Sequence, residues 1–179
     1  MLLVNLEKAI GRFSNALGTI SAILFVLLLF NVFYDVLMRY VFNDVSIGMQ
    51  ELEWHLYAAV FLLGIPYGLQ HGGHVRVDVI YENLSIKGKA WVDLFGCIFL
   101  LLPFTLLVGY YGIGFAQESY ALGETSGDPG GLSHRWIIKA VIPFAFFSMA
   151  ISGLGMMIRS INVLRGVSTD GFSHPPIQH

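Results

Sequence analysis

Charge is scarce in this chain of 179 residues: Asp, Glu, Lys and Arg make up 12% of it, against about a quarter in an ordinary soluble domain. With 55% hydrophobic residues and a mean hydropathy of +0.68, that shortage excludes a soluble globule and implies an integral membrane protein. The net charge of −2 is too small to suggest a nucleic-acid binder or an anionic-lipid binder. The single cysteine, Cys97, lies inside an apolar run, so a disulfide framework is excluded and the redox compartment stays open. No small-x-small cleavage site follows Lys8, Arg12 and the apolar residues 16–30, and that run is too long for the core of a signal peptide. It is expected to be an uncleaved anchor. Nucleophile elbow, phosphate loop and paired catalytic carboxylates are all missing, so no enzyme and no cofactor are expected. Internal repeats are missing too, and no soluble domain fits into the connectors.

What is present is apolar sequence in long stretches. Residues 2–16 put Leu3, Leu6, Ile10 and Phe13 on one helical face and Asn5, Glu7, Lys8, Arg12 and Asn15 around the other. That pattern predicts an amphipathic helix in the membrane interface, or a simple extension of the first span. Four runs then approach the roughly 20 residues that cross hydrocarbon. The expected fold is all-α, a single domain over 1–167 with four transmembrane helices at about 16–40, 47–71, 88–117 and 135–160. The polar, proline-containing stretch 168–179 is expected to be a poorly ordered tail. The connector over 72–87 alternates Val75, Val77 and Val79 with charges, reading as an extended piece or, preferably, an interfacial segment, with Ser85 capping the third helix.

Basic residues set the orientation. Lys8, Arg12, Arg76, Lys87, Lys89, Arg159 and Arg165 gather on one side, and only Arg39, Arg135 and Lys139 on the other. Both termini are therefore expected in the cytoplasm. The outer side carries Asp44, Glu51, Glu53, Glu118, Glu124 and Asp128. Trp54, Tyr57, Tyr110, Tyr111, Tyr120 and Trp136 are its expected aromatic belt, with Tyr67 and Trp91 at the inner face.

Small residues predict where helices meet. Gly64, Gly68 and Gly72 recur every fourth position, and Ala145, Ser148, Ser152 and Gly155 form a second stripe. Pro66, Pro103 and Pro143 each remove one backbone hydrogen bond and are expected to kink their spans.

The corner from residue 31 to 55 holds the most unusual polar pattern. Asn31, Asp35 and Arg39 share one helical face, and Asp35 precedes Arg39 in the favoured order. Glu51, Glu53 and His55 open the next span at the same membrane surface. Two readings follow: a helix-end pair reaching to water, or a buried ionic clasp from Arg39 to Glu51 or Glu53. His71-Gly-Gly-His74 lacks a third local ligand for a metal, so headgroup or water contact is the default. His55 and His134 near the outer side leave a haem-carrying electron carrier as an alternative, although both sit at helix mouths. A stand-alone channel or transporter is a further alternative, but the expected mid-membrane stretches hold almost only apolar residues, small residues and prolines. The polypeptide reads as a scaffold.

The ordered set Arg39-Tyr-Val-Phe42, Ser46, Glu51-Leu52, Gly64 and His74-Val-x-Val-Asp78 resembles the small membrane subunit of tripartite ATP-independent periplasmic (TRAP) transporters. Glu124, Gly131-Leu132, Arg135-Trp136 and Pro143 extend the likeness, which spans about residues 10–165. Gln50 stands where that family often has an additional acid, and Ser133 where proline commonly follows Gly-Leu. The resemblance implies an inner-membrane complex in which a periplasmic binding protein delivers an organic acid to a large permease subunit driven by sodium. It implies a non-catalytic brace on that large subunit, among membrane lipids, with no substrate site of its own. Glu118, Glu124 and Asp128 are then the candidates for docking the binding protein.

Overall fold

A computed structural model describes residues 2–73, 81 and 83–167. Expectations for His74, Arg76 and most of the 72–87 connector, and for the 168–179 tail, lie outside the described residues. Four long helices make up the rest: α1 (Leu2–Val41), α2 (Ile47–Gln70), α3 (Ile86–Ala121) and α4 (Trp136–Leu164). No strand occurs among the described residues.

Three of these helices, α1, α3 and α4, are long and apolar enough to cross a membrane. α2 has the length, at 24 residues, but carries Glu51, Glu53, His55 and Gln70 near its ends and is not among the three. The expectation of four spans is thus met by three on length and apolarity together.

The separate interfacial helix expected over 2–16 is not seen, because α1 runs unbroken for 40 residues. The face assigned to the membrane surface is used for packing instead. Ile10, Ser14 and Leu17 are buried, Phe13 packs beside Leu17 and Leu63, and Ser14 Oγ lies 2.8 Å from Ser152 Oγ on α4.

α4 is the central helix, touching α1, α2 and α3, whereas α1 packs mainly on α2 and α4. Half of its most apolar stretch is buried, against 22% for the corresponding stretches of α1 and α3. The sequence explains this position. Ala145, Ser148, Ser152, Gly153 and Gly155 keep α4 thin, so neighbours come close on several sides. A Cβ on Gly153 would stand 2.5 Å from Leu101, and one on Gly155 2.8 Å from Ile10. The polar side chains this exposes are satisfied locally: Ser148 donates to the Phe144 carbonyl (2.7 Å) and Ser152 to that of Ser148 (3.1 Å).

The glycine stripe of α2 behaves differently from expectation. A Cβ on Gly64 would meet Ser21 of α1 at 3.2 Å, but one on Gly68 would meet nothing within 4 Å. Gly72 lies beyond the helix at φ 72°, where it ends α2: its N–H bonds Leu69 O, and Gly73 N–H reaches back to Gly68 O at 2.8 Å. The glycine that brings α1 against α2 is Gly18, whose absent Cβ would fall 2.5 Å from the Tyr67 ring.

Pro66 and Pro143 lie inside continuous helices. Pro103 follows a π-helical turn, Cys97–Leu101, within α3. The Leu102 N–H bonds the Cys97 carbonyl five residues back, so the wider turn absorbs the missing proline donor.

Candidate functional site

Polar side chains concentrate at the two ends of the bundle. One end joins the close of α1, the start of α2, the 122–135 loop and the start of α4. Ser46 caps α2, accepting from Met49 N–H, and this sets the first turn of α2 beside the last turns of α1. Asn31 Nδ2 donates to the Met49 carbonyl at 3.0 Å, and Asp35 is buried against the Arg39 guanidinium. The polar stripe of α1 therefore faces α2.

The buried Glu51 carboxylate accepts from Ser126 Oγ (2.5 Å) and from the Leu132 backbone N–H (2.6 Å), so it pins the 122–135 loop onto α2. Arg39 bonds Asp35 one turn away, and Glu53 on α2 lies within electrostatic reach of both. Two devices thus stand at this corner, an intrahelical pair and a helix-to-loop pin. The Ser126–Leu132 turn presents an N–H and a hydroxyl, two donors that satisfy the Glu51 carboxylate as a guanidinium would.

Four further contacts lie in or beside the loop. Lys139 pairs with Glu124 and lies 4.1 Å from the centre of the Phe115 ring. Arg135 stands over Trp54 at 5.3 Å, and Tyr120 meets Trp136 edge to face at 5.3 Å. The Lys139 ammonium bonded to Glu124 holds that carboxyl below the usual 4.5, and the positive charge of Arg135 adds to the effect. Between loop and α2 remains a cavity of about 370 Å³ lined by Gln50, Glu51, Trp54, Ser126, Asp128 and Arg135. Of the three docking candidates, Glu118 and Asp128 are exposed, whereas Glu124 is engaged by Lys139.

His55 Nδ1 lies 2.6 Å from the Glu51 carbonyl, and His134 Nδ1 lies 2.8 Å from Ser133 Oγ. His71 Nδ1 is 3.0 Å from the Tyr67 carbonyl. Among the described residues no three His, Cys, Asp or Glu side chains converge as metal ligands would.

The opposite end carries a cluster that sequence reading missed. Arg159 Nε donates to Glu7 Oε1 (3.2 Å), Asn162 Nδ2 donates to Glu7 Oε2 (3.0 Å), and Arg159 Nη1 reaches the Gln70 carbonyl (3.3 Å). Three helices are tied there. Expecting residues 2–16 to lie apart in the interface is what hid Glu7 as a partner.

Between the two ends, buried polar groups bond to backbone or to one another. Ser21 donates to the Val60 carbonyl (2.7 Å), Thr105 to that of Leu102 (3.1 Å), and Cys97 Sγ to that of Gly153 (3.1 Å). These features define a helical membrane protein. Residues 28–163 match the family described as "Tripartite ATP-independent periplasmic transporters, DctQ component", and the chain belongs to that family. It is 22% identical over 160 residues to the ectoine TRAP transporter small permease protein TeaB of Halomonas elongata, covering 87% of this chain and 81% of that one. It is 26% identical over 148 residues to the sialic acid TRAP transporter permease protein SiaT of Haemophilus influenzae, covering 79% of this chain and 22% of the longer relative.

Proposed function

We infer that this protein is the small, non-catalytic permease subunit of a sodium-coupled, binding-protein-dependent TRAP transporter for organic acids, bracing the scaffold of a large membrane subunit. Family membership over residues 28–163 carries the reading. The likeness to SiaT supports the partner: there the related region is 22% of a longer TRAP transporter permease protein. Support for the bracing role comes from the interior, where Ser14, Ser21, Ser148 and Ser152 bond to helix backbone or to each other instead of facing a path.

In this reading all four helices span the inner membrane and both termini are cytoplasmic, which puts the Glu51-pinned loop in the periplasm. Glu118 and Asp128, exposed on that side, would attract a binding protein through basic residues on its docking face. Raising salt should then slow docking by screening.

Co-expression with the large permease tests the assignment. The two chains should leave a mild-detergent extract together, and liposomes holding both should take up the acid only with a sodium gradient and the binding protein. Uptake by this chain reconstituted alone would point instead to a stand-alone transporter. A haem absorption band in the purified protein would favour the electron-carrier alternative.

A further inference from the structure

A second recess lies apart from the loop pin. It is an apolar groove of about 740 Å³ beside the π turn of α3, lined by Gly96, Phe99, Pro103 and Phe104 with Leu69 of α2 and Met156 of α4. Three sequence features create it. Gly96 offers no side chain, and a Cβ there would meet nothing within 4 Å. The wider turn directs Cys97 and Leu101 towards Gly153 of α4, and Phe99 and Leu100 are left outside. Pro103 adds only a short ring.

A column of aromatic rings leads from this groove to the membrane surface. Trp91, Phe95 and Phe99 stack in series, with ring centres 5.4 Å and 5.9 Å apart, and all three are exposed. One turn before Trp91 in the same i, i+4 series stands the exposed cation Lys87. Lys89 is turned aside, 5.4 Å from the Tyr81 ring, and Asp93 accepts from Tyr81 Oη at 2.9 Å. From Lys87 to Phe99 is 12 residues, or about 18 Å of helix, close to the roughly 15 Å depth of one hydrocarbon leaflet.

We propose that this winding stripe is a site for one anionic phospholipid, with its phosphate at Lys87, one acyl chain along Trp91 and Phe95, and the chain end in the groove at Gly96 and Phe99. The match of a cation at headgroup depth with an apolar recess one leaflet below it selects this occupant. A helix from a partner protein would need a groove running the length of α3. The overall charge of −2 does not oppose the site, because the attraction is local and confined to within a Debye length of the surface.

Native mass spectrometry of the full-length protein in mild detergent tests it, titrating phosphatidylglycerol against phosphatidylcholine of identical acyl chains. One phosphatidylglycerol should be retained with about a five-fold preference, the worth of one lysine near a membrane surface. Lys87→Glu should erase the preference, while Lys8→Glu, a change of an exposed lysine on α1, should leave it intact. Gly96→Phe should fill the recess and reduce retention of both lipids, and it has room to fold because nothing lies within 4 Å of its Cβ. Equal retention of the two lipids by the unaltered protein would overturn the proposal, as would undiminished retention in Gly96→Phe. So would loss of the lipid whenever the large permease is bound, since the groove would then be a protein interface.

Discussion

Replacing Gly18 by alanine probes the closest approach of α1 to α2. The added Cβ would lie 2.5 Å from Tyr67 Cδ2, 2.6 Å from Cγ and 3.0 Å from Cβ. Carbon atoms rest at about 3.5–4.0 Å, so the helices or the ring must yield by about 1 Å. The near atoms sit at the base of the tyrosine, where a rotamer change gives little relief. Such overpacking costs about 1–3 kcal/mol. Gly68→Ala is the matched control, four residues beyond Gly64 on α2 and with nothing within 4 Å of its Cβ. Both variants make the same chemical change inside a helix, so any gain in helix propensity cancels between them. Reversible unfolding in mixed micelles should then show Gly18→Ala less stable than Gly68→Ala by a factor of about 5 to 150 in the folding constant. Equal stabilities would refute the close α1–α2 contact and restore Gly68 as the packing residue.

Other outcomes follow from the two polar ends. Arg39→Glu should leave the buried Asp35 facing like charge from Glu53 and lower both thermal stability and recovery with the large permease; the double exchange Asp35→Arg with Arg39→Glu should recover much of the loss. Glu51→Ala should free the 122–135 loop, seen as faster amide exchange at Leu132 with the α3 and α4 cores unchanged; unaltered exchange there would argue against the pin. Because pairing with Lys139 lowers the Glu124 pKa, its contribution is fully present above the unfolded value of 4.5 and is lost as pH falls through the lower folded value. Protease cleavage of the loop should therefore rise in that acid window, and Glu124→Gln should remove the share of the acid dependence that Glu124 carries, leaving the share carried by the Glu51 pin. Arg159→Ala should loosen the N-terminal turns of α1, measurable as faster exchange around Glu7, without disturbing the Glu51 pin.

The chain's composition and periodicity determined much of the architecture. Runs of apolar residues with almost no charge can satisfy their backbone in lipid only as helices, so the all-helical fold was legible without coordinates. The small-residue stripe at 145, 148, 152 and 155 likewise marked a helix with close neighbours, and Ser85 caps the third helix as expected, accepting from Gly88 N–H. The pairing of Asp35 with Arg39 was readable because partners four apart on a helix must be adjacent.

Tertiary structure alone decided which distant groups meet. Glu51 bonds a hydroxyl and an amide 75 and 81 residues away, and Glu7 bonds side chains 152 and 155 residues away. No spacing rule reaches that far, and a backbone N–H carries no residue signature at all. The same holds for glycine, whose meaning lies in the atoms opposite it: Gly18 faces a tyrosine and Gly68 faces open space, a difference invisible until the helices are placed. Amphipathicity showed that residues 2–16 had an apolar side, but bilayer and helix are equally good acceptors for such a side, and the serine-lined surface of α4 took it.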